Sequence, residues 1–335
     1  MITMNDIARL SGYSRVTVSA ALRNKPGVSE KARARILEVA QEHHYVQDQI
    51  AVSLRGKPSK LIGVVVRDIG NPYFTHMVEG IENAVAPDGF TLLTISTHED
   101  LQREIQAVRT LAAYRVDGLI LCSLTRSADQ RHLEIFGRME RPMITVERIQ
   151  DHQFDCIDFQ NVQGGYIATT HLIEKGHQDI CYFAGPSNLK ASADRFAGFL
   201  QALSEHGIQC QDWMRVECGS SSLDGFHSGF DVLRRQEKRP TAIFCFSDLV
   251  AIGVYKAAQQ LRLHIPQDVS IVGFDDIDLA SVLGPALTTV GYGIRNVGRL
   301  VGEQMLQTIG SGRRTSGWSQ IIKPRLFERD SVQKI

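Results

Sequence analysis

The sequence predicts an α/β protein: an N-terminal three-helix helix-turn-helix headpiece with a hinge, followed by a two-lobed core of doubly wound parallel sheets. Three observations carry this expectation. Through residue 45 apolar residues recur at helical spacing, and a capping residue precedes each segment. Beyond residue 60 apolar β-branched runs alternate with helical segments in two successive series. Charge is also segregated. The whole chain balances 37 Lys+Arg against 37 Asp+Glu, yet residues 1–60 hold ten basic and five acidic side chains, leaving 27 against 32 in the remainder. A short segment of +5 joined to a long one of −5 suggests a small module that meets a polyanion.

With 335 residues and 43% hydrophobic content the chain is long enough for two or three cored domains and is not disordered. No apolar run reaches the roughly 18 residues that span a bilayer, and MITMNDIARL has neither the basic nor the apolar region of an export signal, so a soluble cytoplasmic protein is expected. Six cysteines, widely spread and without a C-x-x-C pair, read as buried free thiols rather than disulfides or zinc ligands.

In the headpiece, Thr3 with Asp6 three residues on fits a capping box, Gly12 marks a tight turn, Ser14 opens a second helix and Ser29 a third. Ala32, Ile36, Val39 and Ala40 make the apolar stripe of the third. Residues 46–60, too short and polar to own a core, read as a hinge and linker. Leu61–Val66, Leu92–Ile95, Gly118–Leu121 and Met143–Val146 then read as buried parallel strands, followed by a second series at Asp179–Ala184, Arg215–Glu217, Ala242–Phe246 and Ser270–Gly273. The expected division is headpiece 1–45, hinge 46–60 and core 61–335, with a near lobe at about 61–160 and 291–320 and a far lobe at about 161–290 and 321–330.

A helix-turn-helix lays one helix across phosphates and presents the start of the next to base edges in the major groove. If Ile7, Ala8, Val18 and Leu22 hold the helices together, then Ser14, Arg15, Val16, Thr17, Ser19 and Ala20 face outward, with Arg23 at the end of the helix. Arg15 suits a bidentate pair with guanine and Val16 a thymine methyl. Thr3, Ser14, Thr17 and Ser19 offer hydroxyls to phosphates, and the helix start at Ser29 offers unpaired N–H groups. The plainer alternative makes Thr3 and Ser14 helix caps only and Arg15 a solvated charge.

The run TMNDIARLSGYSRVTVS, Thr3 to Ser19, resembles the N-terminal signature of the LacI/GalR family of bacterial transcription regulators. Gly176-His177, Gly185, Arg195-x-x-Gly198, Ser247-Asp248, Gly273-Phe274-Asp275-Asp276 and Leu287-Thr288-Thr289-Val290 follow at that family's spacing. The resemblance implies a homodimeric repressor of a carbohydrate-utilisation operon, a pseudo-palindromic double-stranded operator, and a periplasmic-binding-protein-like core that binds a small effector, a sugar or sugar derivative, between its lobes. It also implies a hinge helix in which Leu54, with Ala51 one turn earlier, wedges into the minor groove. The short end Ser331–Ile335 lacks room for a tetramer-forming heptad tail, which favours a dimer. Ala20 stands where many relatives carry a base-reading arginine, Gln47-Asp48 replaces a frequent Pro-Asn pair, and Tyr13 fills a position usually small and β-branched.

Ligands of two-lobed parallel-sheet proteins bind at the carboxyl ends of strands. The loops expected there are Asp68–Phe74, Glu147–Arg148, Gly185–Arg195, Ser247–Asp248 and Asp275–Asp276, and their mixed charges beside Tyr73 and Phe74 suit a polyhydroxylated molecule. By resemblance Arg195 and Asp275 pair on ligand hydroxyls from the far lobe, Glu147 and Arg148 reach in from the near lobe, and Ser247 stands where asparagine is common. Gly219-Ser220-Ser221-Ser222 occupies a loop that carries a sugar-stacking aromatic in several relatives. No Walker-A lysine pattern, nucleophile elbow or metal-ligand spacing occurs, and Gly298 falls two residues too late to complete a dinucleotide loop with Gly291 and Gly293, so neither catalysis nor a cofactor nor a metal is expected. A solute-binding or enzymatic two-lobed protein without a DNA role is the competing reading.

Overall fold

The structure, a computed structural model, describes residues 2–45, 58–123, 132–149, 154–235 and 239–335. The chain divides into two compact units, Met1–Ser59 and Lys60–Ile335.

The first unit is built from α1 (Met4–Ser11), α2 (Arg15–Leu22) and α3 (Glu30–Glu42). Thr3 and Asp6 close a reciprocal capping box, with Thr3 N–H donating to Asp6 at 3.0 Å and Asp6 N–H to the Thr3 hydroxyl at 3.3 Å. Gly12 ends α1 in the left-handed conformation, φ 76°, which is why a glycine stands there. Ser14 and Ser29 cap α2 and α3 through Thr17 N–H and Ala32 N–H. Arg33 ties α3 back to α2 by donating to the carbonyls of Ala21 at 3.0 Å and Lys25 at 2.6 Å. The core is Ile7, Val18, Ala21, Ile36, Val39 and Ala40, and Tyr13 packs against it, which accounts for an aromatic ring at that position.

In the second unit one six-stranded sheet contains β1 (Leu61–Val66), β2 (Thr91–Ser96), β3 (Gly118–Cys122), β4 (Met143–Val146), β5 (Asp155–Phe159) and β11 (Ser319–Ile322), in the order β11-β5-β4-β3-β1-β2. The other contains β6 (Ile180–Ala184), β7 (Arg215–Glu217), β8 (Ala242–Cys245), β9 (Ser270–Phe274), β10 (Thr288–Gly291) and β12 (Arg325–Phe327), in the matching order β12-β10-β9-β8-β6-β7. The sheets differ at one edge, where β11 runs parallel to β5 but β12 antiparallel to β10. In each sheet the strand order reverses around the first strand, between β1 and β3 and between β6 and β8, which is the topological switch point of a doubly wound fold. The sequence reading omits β5, β10, β11 and β12. They are short, and each mixes polar with apolar residues, so no apolar run announces them.

The helices after β1 and β10, α4 (Pro72–Val85) and α12 (Ile294–Ser311), pack together at backbone distance. A Cβ at Gly80 would collide with the Arg295 carbonyl, and one at Gly298 with the Met77 carbonyl. Among the described residues the chain crosses between the sheets three times: between β5 and α7 (Asn161–Glu174), between β10 and α12, and between β11 and β12. Asp155 anchors the segment leading to β11. Its carboxylate accepts from Thr308 and Thr315 hydroxyls and from the Ser316 and Trp318 amides at 2.5–3.1 Å.

All six cysteines are free thiols; Cys122, Cys156, Cys181 and Cys245 are buried, but Cys210 is exposed and Cys218 half-buried, contrary to a uniformly buried set. No helix among the described residues is long and apolar enough to cross a membrane.

Candidate effector cavity and DNA-binding helix

In the first unit the start of α2 is open to solvent. Ser14 and Arg15 are exposed, and Val16 is 79% exposed, an apolar side chain left uncovered by its own core. Thr17, Ser19, Ala20 and Arg23 are half-buried along the helix; Thr3 and Ser29 are exposed at the starts of α1 and α3. Ala51, Leu54, Gln47 and Asp48 lie outside the described residues.

In the second unit the carboxyl ends of both sheets converge on one cavity. The first sheet contributes Arg67 after β1, Asn71, Tyr73 and Phe74 where α4 begins, Glu99 after β2, Glu147 after β4 and Phe159 at the end of β5. From the second come Asn161, Leu189, Ala191 and Arg195, with Ser220 after β7, Phe246 and Ser247 after β8, Asp275 after β9 and Tyr292 after β10. Free volume inside is about 30 Å³, the share of one water molecule in the liquid, so the side chains must part to admit a ligand.

Arg195, on α8 (Lys190–Glu205), is fixed on three sides. Nε donates to Asn161 Oδ1 at 3.1 Å, Nη1 to the Phe246 carbonyl, and Nη2 lies 3.6 Å from Asp275 Oδ1. The guanidinium covers the Phe274 ring at 3.5 Å. Asn161 Oδ1 also accepts from the Tyr292 hydroxyl at 3.1 Å. Opposite, Arg67 donates to Glu147 Oε1 at 3.4 Å and lies 5.3 Å from the Phe74 ring, which meets Tyr73 edge-on. Ser220 donates to Glu99 Oε2 at 3.4 Å, a contact between loops of the two sheets.

Burial pushes the Asp275 carboxyl up to about 7, although Arg195 and Arg67 pull the other way. Burial likewise raises Glu99 and the Tyr73 phenol. Behind the lining, Asp248 is fully buried and pushed well above the usual carboxylate range by desolvation. It accepts from Thr289 at 2.6 Å and from Ile277 N–H at 3.0 Å, holding the turn that carries Asp275. Ser247 caps α10 (Asp248–Gln260) through Val250 N–H at 3.3 Å.

Tyr73, Phe74, Glu147, Arg195, Ser247 and Asp275 thus meet in one place. Arg148 does not. It is exposed and donates to Ser319 Oγ at 2.6 Å, because the chain leaves β4 through the left-handed turn at Glu147, which keeps Glu147 at the cavity and sends Arg148 toward β11. Sequence reasoning missed Arg67, Glu99, Phe159, Asn161, Ser220 as a lining residue, Phe246 and Tyr292.

An open helix-turn-helix and a two-lobed unit with a cavity at its topological switch points define a class, the effector-responsive DNA-binding regulator. Residues 3–48 match the family described as bacterial regulatory proteins, lacI family, and residues 59–330 match periplasmic binding proteins and sugar binding domain of LacI family. The chain belongs to the LacI family, as a DNA-binding repressor with an effector-binding domain, and it is not an enzyme. It is 33% identical to the HTH-type transcriptional repressor PurR of Aliivibrio salmonicida over 342 residues, covering 100% of both chains. Among solved structures it resembles the lac repressor dimer bound to operator and the anti-inducer ONPF, with TM-score 0.84, 26% identity and 99% of each chain covered. It also resembles a LacI family regulator from Enterococcus faecium with bound ribose, with TM-score 0.73, 26% identity, and 82% and 99% covered.

Proposed function

We propose that the protein is a cytoplasmic homodimeric repressor of a carbohydrate-utilisation operon, whose grip on a pseudo-palindromic operator is set by a sugar or sugar derivative in the cavity. The observation that carries the effector reading is the Arg195–Asp275 pair over an aromatic floor, since a guanidinium and a carboxylate together donate to and accept from vicinal hydroxyls while a ring covers the apolar face of a sugar. The ribose-bound Enterococcus faecium regulator supports it, and the operator-bound lac repressor dimer supports two copies on DNA. In this reading residues 1–45 meet DNA, with Arg15 and Val16 at base edges and Thr3, Ser14, Thr17, Ser19 and Ser29 at phosphates. Residues 46–60 form the hinge, and 61–335 sense the effector. Binding shifts the population of lobe arrangements and so the spacing of the two headpieces.

The PurR relatives, covering the whole chain at 31–33% identity, favour a second reading: a flat heterocycle of the purine kind, which the rings of Phe74, Phe159, Phe246 and Tyr292 would also sandwich. Mobility-shift assays on the DNA upstream of the gene, with and without free sugars and purine bases, decide between them. A change in operator affinity with a sugar supports the first reading; a change only with a base replaces it by the second. If no upstream DNA is bound, the repressor assignment for this locus fails.

A further inference from the structure

Resting on the reading of the cavity as the effector site, we propose that it selects a neutral polyhydroxy compound and rejects its phosphate esters, with Glu99 and Ser220 together holding one ligand hydroxyl across the cleft. The cavity holds two cationic side chains, and each is already matched. Arg195 donates to Asn161 and the Phe246 carbonyl and is ion-paired with Asp275, and Arg67 faces Glu147. Against these two guanidiniums stand three carboxylates, Glu99, Glu147 and Asp275, so the lining offers no surplus positive charge to an anion.

Around Glu99 the Arg67 guanidinium is answered by the carboxylates of Asp68 and Asp224 as well as by Glu147, so no positive charge is left over at that end either. Burial raises both Glu99 and Asp275, so the enclosure already resists the charge of its own side chains. A phosphate monoester brings about two further negative charges into that space, and an unmatched buried charge is heavily penalised. Glu99, by contrast, is an acceptor on the near side of the cleft, and Ser220 a hydroxyl on the far side, 3.4 Å away. A ligand hydroxyl placed between them can donate to the carboxylate and accept from the serine, so it is held only when both loops are close.

Calorimetric titration of the full-length protein tests this with D-ribose, D-glucose, D-xylose, D-fructose and each sugar's phosphate monoester. At least one free sugar should bind, and its ester should bind at least about tenfold more weakly. Glu99→Gln should weaken the free sugar by roughly tenfold and narrow the gap to its ester, and Ser220→Ala should weaken the sugar in the same direction. An ester that binds as tightly as its parent, or Glu99→Gln and Ser220→Ala both without effect, overturns the proposal; so does a panel in which no free sugar binds. Asp275→Asn separates the two levels. If an ester binds tightly and Asp275→Asn weakens it, the charge rule falls while the cavity stands as the effector site. If a sugar binds and Asp275→Asn, Glu99→Gln and Ser220→Ala all leave it unchanged, the ligand lies elsewhere and both readings fall.

Discussion

Glu147 and Asp275 occupy matching places in the two sheets. Each is the residue directly after the fourth strand of its sheet in chain order, each has a left-handed backbone, φ 73° and 115°, and both face the same cavity. Non-glycine residues in that region cost about 1–3 kcal/mol each and persist where surrounding structure fixes them. Here Glu147 N–H donates to the Ile157 carbonyl at 2.8 Å and Asp275 N–H to the Val290 carbonyl at 2.6 Å, so the adjacent strands hold the strained turns in place.

Asp275 makes stability pH-dependent. Its carboxyl is raised in the folded state from 3.8 to about 7, so between those values the folded protein binds more protons than the unfolded chain. The group's contribution is fully present below pH 3.8 and is lost as pH rises through 7. Denaturant titrations at pH 5, 6, 7 and 8 should show wild-type stability falling relative to Asp275→Asn by on the order of 1 kcal/mol per pH unit over the lower part of that range. Parallel curves for the two proteins would remove Asp275 as the cause.

Arg15 is exposed in the first turn of α2 beside a largely bare Val16. Arg15→Ala should cost about 1–3 kcal/mol on the specific operator and relax the preference at one base pair. Fluorescence anisotropy with operator and scrambled duplexes measures both. Equal losses on the two duplexes would make Arg15 a phosphate contact.

Asp155 should be the acid-sensitive anchor of the return segment. Burial opposes its charge, but the Thr315 hydroxyl, the Ser316 amide and hydroxyl and the Trp318 amide outweigh it and hold the carboxyl below the usual range. Its contribution is present above the unfolded value of 3.8 and is lost as pH falls through the lower folded value. Asp155→Ala should destabilise by about 1–3 kcal/mol at neutral pH, since it removes the charged acceptor shared by Thr308, Thr315, Ser316 and Trp318. Thermal melts at pH 7 and pH 3 should show the gap to wild type shrink in acid.

Gly80 lies where α4 meets the backbone of α12. Gly80→Ala should raise helix propensity by about 1 kcal/mol and still lower stability, by about 1–3 kcal/mol net, because the clash is with main chain that cannot rotate away. A melting temperature above wild type would show that the helix pair yields.

Much of this architecture was readable because local physics decides it. Thr3, Gly12, Ser14 and Ser29 mark the three headpiece helices by capping chemistry alone, and the runs at β1, β3 and β4 are apolar enough to declare buried parallel strands. The strand-end rule leads to Tyr73, Glu147, Arg195 and Asp275. It also leads to Glu99, the third residue beyond β2, which the loop survey passed over. Arg67 had a local signal too, a charge directly after an all-apolar strand. Phe246 and Tyr292 directly follow β8 and β10, and Asn161 lies two residues past β5, so the same rule reaches them once those strand ends are placed; β5 and β10 lack the apolar runs that would place them, and the joint hold of Asn161 and Phe246 on Arg195 is a tertiary fact. Arg148 shows the opposite failure, in which adjacency to Glu147 suggested a shared site that the left-handed turn at Glu147 divides.

The three crossings between the sheets have a mechanical meaning. A lobe hung on one strand could swivel freely, but three side-by-side tethers resist twist and leave bending about a common line as the soft motion. Cutting the chain at any one crossing, near 160, 292 or 323, leaves the lobes joined by the other two. A protease nick there would loosen the bending motion without releasing either half.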